Sequence, residues 1–400
     1  MPEAVIVATG RTPIGRAMKG SLVTCRPDDL TALVVRAVLA KIPQLDPAQV
    51  EDLILGCGEP AGESGYNVAR VSALLAGVDV PGVTVNRYCS SSLQTIRMAA
   101  HAIRAGEGDV FVAAGVETVS RYGHGTSDSG PHNPAFAEAE ARTAARTAAV
   151  TEPWTPPAGL PDVYIAMGQT AENVAEHEQV SRQEMDEFAA LSQNRAVESQ
   201  RNGFFEREII PVTLADGTVV AKDDGPRPGT TVEALANLKP AFREGGSVTA
   251  GNSCPLNDGA AAVVVMSDTK AKALGITPLA RVVSSGVSAL DPEIMGLGPI
   301  GASRQALDRA KLTMDDIDLV EINEAFAAQV VPSAKHLGIS YDKLNVHGGA
   351  IALGHPFGMT GARIMTTLVN GLETTGGRYG LETMCVGGGQ GMAMIVERLS

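Results

Sequence analysis

Two rhythms of apolar residues organise this chain: short unbroken runs suited to buried strands, and longer stretches repeating every three to four positions, as helices require. AVIVATG reads as a strand, PDDLTALVVRAVLAKI as a helix begun by Asp28 or Asp29, and VEDLILGC as a second strand. The order returns towards the C-terminus, where LARVVSSGVSA predicts a strand, ASRQALDRAKL a helix and IDLVEIN a strand. LDPAQVEDLIL and LTMDDIDLVEI share the spacing of their apolar and acidic residues. Internal duplication is the economical explanation.

A second correspondence bears on chemistry. VTVNRYCSSS, a helix and VFVAAGVE in one half match LNVHGGAIALGHPFG, a helix and ETMCVGGGQGMAMIVE in the other. Ile96, Ala99, Ala100 and Ile103 recur at helical spacing with Gly106 as the stop, so Cys89 stands just before a helix. Residues 122–247 break the pattern with Gly/Pro-rich and alanine-rich stretches and read as an inserted loop domain. Inside it an amphipathic helix runs from a Ser181 cap, with Glu184 in capping-box position, to Gly203. The expected architecture is α/β: an N-terminal half at 1–121 completed by 248–270, the insert at 122–247, and a C-terminal half at 271–400.

Hydrophobic residues make up 44% and charged ones 19% of 400, which places the chain among globular proteins able to bury a large core. A formal net charge of -13 weighs against nucleic-acid binding, which rests on a basic surface. An anionic substrate would need a local basic patch. The five cysteines, Cys25, Cys57, Cys89, Cys254 and Cys385, lack the paired spacing of a zinc site, so a reducing compartment is expected. The sequence shows neither a secretory signal nor a membrane span, and ERLS is not the SKL peroxisomal address; a cytoplasmic chain is the expectation.

A thiolate, not a thiol, is the nucleophile, and a helix N-terminus or an imidazole lowers the pKa that governs it. Cys89 has the first by position, and His355, in the glycine-rich GGAIALGHPFGMTGAR, offers the second from the other half. Cys385 precedes Val386 and Gly387-Gly388-Gly389, whose amides suit an oxyanion pocket for a thioester carbonyl, and its thiol suits proton transfer. A buried intracellular cysteine is more often a small hydrophobe, the reading kept for Cys25 and Cys57. GGAIALG and CVGGGQG lack the glycine spacing and downstream acidic residue of a dinucleotide loop, and no P-loop or metal motif accompanies them.

RTPIGR, NRYCSSSLQ, GVETVS, MGQTAENVA, SRQEMDEFA, SVTAGNSCPLNDGAAA, EINEAFA, GGAIALGHPFGMTGAR and CVGGGQG together resemble the thiolase family over nearly the whole length. The resemblance implies a duplicated five-layered αβαβα core with an inserted loop domain. It also implies a two-step acyl transfer, in which Cys89 attacks a 3-ketoacyl-CoA, acetyl-CoA leaves, and coenzyme A collects the shortened acyl group. In reverse, Cys385 removes an alpha proton from acetyl-CoA for a Claisen condensation onto acetyl-Cys89. By the same match His355 activates Cys89, Asn323 holds a water that completes one oxyanion hole, and the amides of Cys89 and Gly387 form a second. Alone, Asn323 could equally cap the helix EAFAAQVVPSAKHL, and Glu324 reads as first-turn helix charge. The resemblance further implies coenzyme A contacts at Arg227, Leu238, Ala250, Cys254, Ala325 and Phe326, and an acyl-pocket position for Met295. Unaided, Arg227 reads as a solvated loop cation and Met295 as core. No cofactor beyond coenzyme A as substrate, and a homodimer or homotetramer, complete the expectation.

Some positions depart from the family pattern. His347 stands in NVHGG where many thiolases have NVNGG, and reads as hydrogen-bonded structure. Cys254 and Pro255 replace a usual Ser and Gly, Val119 replaces Met, and Ala166 stands where short-chain biosynthetic members have the histidine of YHMG. That last change points to a roomier pocket. A thiolase-fold ketoacyl synthase would carry histidine or asparagine at Cys385. A catalytically silent acyl-CoA-binding scaffold would have no need of Cys89, Asn323, His355 and Cys385 together.

Overall fold

The computed structural model describes residues 2–148 and 153–400. In the first half come β1 (Ala4–Arg11), α1 (Pro27–Ala40), β2 (Asp52–Gly56), β3 (Gly82–Val85), α2 (Ser91–Ala105) and β4 (Val110–Thr118). An excursion carrying α3 (Met167–His177) and α4 (Arg182–Arg201) precedes β5 (Asn257–Ser267). The second half runs β6 (Ala280–Ala289), α5 (Gly298–Ala310), β7 (Leu319–Ile322), α6 (Ala327–Leu337), α7 (Thr360–Thr375), β8 (Tyr379–Val386) and β9 (Gln390–Arg398).

Among the described residues these strands join one ten-stranded sheet, in which β3-β2-β4-β5-β1 leads through β6 to β9-β8-β7. The duplication is visible in the pairing. β2 runs parallel to β4, which is antiparallel to β5, which is antiparallel to β1. β7, β8, β9 and β6 repeat that order and those directions. The halves meet where β1 and β6 pair at Val5 with Arg281 and Ile6 with Ala280.

Alternate strand residues feed different cores, because successive side chains leave opposite faces. Phe111, Val263, Met384 and Met394 pack with Leu93 and Ile96 of α2 and Ile364 and Leu368 of α7 in one central cluster. Val112 and Val264 turn the other way, onto Leu30 and Val34 of α1. Leu381 and Ile395 turn onto Ala302 of α5 and Val330 of α6. The result is five layers: α1, the β1–β5 half, α2 with α7, the β6–β9 half, and α5 with α6. Strands covered on both faces read as unbroken apolar runs, the pattern that marked them in the sequence.

Local chemistry explains most boundaries. Ser181 and Glu184 form the expected capping box on α4, and Gly203 takes φ +82 beyond its end. Gly106 ends α2 at φ +78. Asp28 and Asp29, expected to begin α1, lie inside its first turn instead: Arg26 is the N-cap without a side-chain bond, because Pro27 takes the first helical position. Asp28 instead pairs with Arg26 at 2.9 Å. The excursion leaves at Thr118 and returns beside it at Asp258, its register partner. It is tied to β1 by the fully buried Arg11, which binds Glu208 at 2.8 Å and both oxygens of Asp223 at 2.7 and 3.0 Å. No helix among the described residues is long and apolar enough to cross a membrane.

Candidate active site

Cys89 sits in a single 3-10 turn, Tyr88–Ser90, wedged between β3 and the first residue of α2. The preceding Tyr88 has φ +41, a left-handed conformation that costs a non-glycine residue roughly 1–3 kcal/mol. Local bonds hold it: the Arg87 amide donates to Ser91 Oγ at 2.9 Å, the Ser91 hydroxyl to the Tyr88 carbonyl at 2.7 Å, and the Tyr88 amide to Asn86 Oδ1 at 2.8 Å. The Cys89 side chain is thereby aimed at the end of β8, in the other half of the molecule.

There Cys385 is the last residue but one of β8, and Gly388 and Gly389, both at φ +77, reverse the chain into β9. The amides of Gly387 and of Cys89 itself both face the Cys89 sulfur. Arg87 donates to Gln390 Oε1 at 2.7 Å, and the Gln390 amide group donates to the Gly387 carbonyl at 3.3 Å, stitching the two loops together.

Burial pushes the Cys89 thiol up to about 11; the Gly387 and Cys89 amides oppose the rise, and Glu117 adds to it. The direction is opposite to the one expected from a helix N-terminus, because burial outweighs the two amides. Cys385 is pushed well above the ordinary thiol value, by burial first and then by the proximity of Cys89 and Cys254. Burial raises Cys254 as well, so the three neighbouring sulfurs are neutral thiols at rest.

His355 is 1% exposed. Its amide donates to Asn257 Oδ1 at 2.9 Å, and the Thr360 hydroxyl lies 2.6 Å from its Nδ1. The Pro356 carbonyl, 2.8 Å from the same hydroxyl, can only accept, so Thr360 donates to it and must accept from His355. Nδ1 therefore carries the proton and Nε2 is left unprotonated. Asn323 Nδ2 donates to that Nε2 at 3.3 Å. Burial, with the nearby Arg363 charge, pulls the imidazole down to about 3. Asn323 is fixed in turn by its amide donating to the Thr383 carbonyl at 3.0 Å and its carbonyl accepting from Gln329 at 2.6 Å. It does not cap α6, whose N-cap is Phe326. Its Oδ1 is buried without a protein partner, the position of an acceptor for one water.

Two acidic residues matter more than their sequence setting announced. Glu324 is not first-turn helix charge. It is fully buried ahead of α6, accepting from the Ser192 hydroxyl at 2.6 Å, Asn345 Nδ2 at 2.8 Å and the Ile351 amide at 3.0 Å, which anchors the loop leading to His355. Glu117, at the buried end of β4, accepts from the amides of Gly58 at 2.8 Å and Gly358 at 2.9 Å, pinning the turn after His355 to the Cys89 half. For Glu117 the legible signal was a lone carboxylate inside an apolar run, as in VFVAAGVE.

A cleft of about 220 Å3 opens onto Cys89, walled by Tyr88, Val163, Tyr164, Ile165, Met167, Phe357, Gly387 and Gly388, with Glu59 and Asp128. A separate narrow cleft of about 60 Å3 contains Arg227 and Ala250, with Arg16, Leu235 and Pro255. Leu238 packs on Gly251 beside it. The Cys254 amide donates to the Ala325 carbonyl at 3.0 Å, and Ser253 forms a bridge with Phe326, so these expected contacts are laced together. Met295 is 1% exposed in the apolar cluster that includes Phe326 and Cys385, and is not among the walls of the Cys89 cleft.

Residues 4–269 match the family description "Thiolase, N-terminal domain", and residues 276–398 match "Thiolase, C-terminal domain". The chain belongs to the thiolase family. It is 44% identical to the beta-ketoadipyl-CoA thiolase of Acinetobacter baylyi and 45% identical to the 3-ketoacyl-CoA thiolase of Vibrio cholerae, each match covering 100% of both chains. Its fold superposes on the Bacillus anthracis acetyl-CoA acetyltransferase with a TM-score of 0.86 at 39% identity, covering 100% of this chain and 99% of that one. This thiolase is an acyltransferase.

The departures from the family pattern can now be placed in this thiolase. His347 stacks on Phe204 with ring centroids 3.5 Å apart, and its Nδ1 lies 3.2 Å from the Ser199 hydroxyl. Burial lowers it to about 4. Ala166 is the exposed N-cap of α3, between the cleft residues Ile165 and Met167. Val119 is buried at the end of β4. Cys57 is fully buried, its sulfur 3.7 Å from Glu117 Oε1.

Proposed function

We propose that this thiolase cleaves 3-ketoacyl-CoA with coenzyme A, and runs the reverse Claisen condensation, through an acyl-Cys89 intermediate. The observation that carries the reading is the convergence of the Gly387 and Cys89 amides on the Cys89 sulfur, where the oxygen of a thioester formed there needs donors.

Thiolysis begins as the Cys89 proton passes to His355 Nε2 and the sulfur bonds the keto carbon. Collapse of the oxyanion breaks the bond between the keto carbon and the alpha carbon. The electron pair remains on the alpha carbon, which takes the Cys385 proton, and acetyl-CoA departs. The raised pKa of Cys385 suits it to hold that proton beforehand. Coenzyme A then gives its thiol proton to the Cys385 thiolate and attacks the acyl group. Cys89 leaves as thiolate and recovers its proton from His355. A water accepted by Asn323 Oδ1, together with His355, forms the first oxyanion hole in this reading.

Coenzyme A would enter by the Arg227 and Ala250 cleft and pass Leu238, Cys254, Ala325 and Phe326, with 122–247 acting as its binding domain. Met295 would back the acyl site from behind its wall. The working form is read as a cytoplasmic homodimer or homotetramer serving acyl-chain metabolism, with acyl-CoA and coenzyme A as its partners.

The test is acetyl-CoA release from acetoacetyl-CoA and from 3-oxooctanoyl-CoA, followed by mass with Cys89→Ala as blank. An acyl adduct on the Cys89 peptide is expected. Turnover that survives Cys89→Ala would overturn the assignment.

A further inference from the structure

The cleft at Cys89 has a one-sided charge pattern. Among the described residues its only acidic walls are Glu59 and Asp128, and no lysine, arginine or histidine lines it. Glu59 is 8% exposed. Its Oε2 accepts from the Ser127 amide at 2.8 Å, the Ser127 hydroxyl at 2.8 Å and the Asp128 amide at 3.0 Å. Those three bonds hold the turn at Ser127–Ser129 against the cleft and fix where Asp128 stands. Burial raises the Tyr88 phenol, and Asp128 and Glu59 raise it further, so both carboxylates act on the ring beside the nucleophile. The remaining side-chain walls, Val163, Tyr164, Ile165, Met167 and Phe357, are aliphatic or aromatic.

Cations do exist nearby, on the far side of Ile165, in a cavity of about 350 Å3. They are already matched. Arg142 binds Glu293 at 2.7 Å, Arg243 binds Glu176 at 2.6 Å and Asn173 at 2.8 Å, and Arg146 also pairs with Glu176. An acyl chain ending in a carboxylate would thus meet two like charges in a partly desolvated cleft, with no counter-charge to repay its lost hydration.

We propose that the acyl site selects 3-ketoacyl-CoA substrates whose chain ends in an uncharged group, and that Asp128 and Glu59 reject chains ending in a carboxylate. The inference rests on the acyl-Cys89 reading and deepens it. Asp128 and Glu59 act as specificity residues through repulsion rather than through contacts to the accepted substrate.

3-Oxohexanoyl-CoA and 3-oxoadipyl-CoA share six acyl carbons and differ in a terminal methyl against a carboxylate, so they isolate the charge. The kcat/KM ratio should favour the hexanoyl substrate at least about tenfold at low salt and narrow as salt is raised. Asp128→Asn, at an exposed position that disturbs no buried contact, should raise kcat/KM for the adipyl substrate several-fold more than for the hexanoyl one. Glu59→Gln should act in the same direction. Equal efficiency on both substrates, or a ratio unmoved by Asp128→Asn, overturns the inference while leaving the thiolase reading intact. Absence of Cys89-dependent turnover on either substrate overturns that reading, and the inference with it.

Discussion

His355 is held neutral by the fold, and this has a measurable thermodynamic consequence. The imidazole titrates near 6.5 in the unfolded chain and at about 3 in the native one, because burial and Arg363 both disfavour its charged form. Below pH 6.5 the unfolded chain binds a proton that the native site refuses. Stability from this group is therefore complete above pH 6.5 and is lost as pH falls towards 3. Between pH 8 and pH 5 the loss from His355 alone amounts to about 2 kcal/mol. The check is a comparison of urea midpoints and slopes at pH 8 and pH 5, at one protein concentration, for wild type and His355→Gln. Each protein serves as its own reference, so the intrinsic cost of the substitution cancels. His347, lowered to about 4, and Glu321, raised to about 8, titrate in both proteins and cancel as well. The variant should lose about 2 kcal/mol less on acidification than wild type. Parallel losses would refute the neutral, doubly bonded imidazole, and with it the unprotonated Nε2 that is to receive the Cys89 proton.

Alkylation of Cys89 by iodoacetamide should accelerate through pH 8–10 without levelling off, since the thiol is pushed up to about 11; a plateau near pH 7 would contradict that environment. Asn323→Ala removes the donor to His355 Nε2 and the buried acceptor beside it, and should lower kcat by roughly 10²-fold or more with little change in KM, as steady-state thiolysis would reveal. Glu324→Ala strands the Ser192, Asn345 and Ile351 donors in the interior and should cost about 3 kcal/mol or more, visible as a lowered melting temperature; an unchanged value would mean water replaces the carboxylate freely. At Gly115 an added Cβ would lie 2.0 Å from the Gly358 carbonyl and 2.5 Å from Ser92 Cβ, so Gly115→Ala should displace the turn after His355 and reduce activity before it reduces secondary structure by circular dichroism.

The sequence by itself determined the strands and several helix ends, and it nominated the candidate reacting groups. These depend on local physics: two-sided burial makes apolar runs, Ser181 and Glu184 cap a helix within one turn, and Gly106 ends one through its own backbone freedom. The duplicated order of segments was legible for the same reason. Cys89, His355 and Cys385 stood out because reactive side chains beside glycine-rich turns are unusual in apolar surroundings. Tertiary structure alone decided their electrostatic state. A helix N-terminus near Cys89 was readable, but the burial that overrides it comes from β8, the 387–389 turn and the cleft wall, all distant in sequence. The same holds for Asn323, whose local position suggested a helix cap, and for Glu324, which read as first-turn helix charge. Their partners, Ser192, Asn345 and His355, arrive from other segments, and the protonation of His355 follows from Thr360 and Pro356 acting together. Which carboxylates face the acyl cleft was equally invisible, because Asp128 and Glu59 are far apart in sequence and meet only where the Ser127–Ser129 turn folds back onto Glu59. Bonding along the chain is written in neighbouring residues, whereas desolvation and charge depend on everything packed within a few ångströms, and only the folded chain assembles that shell.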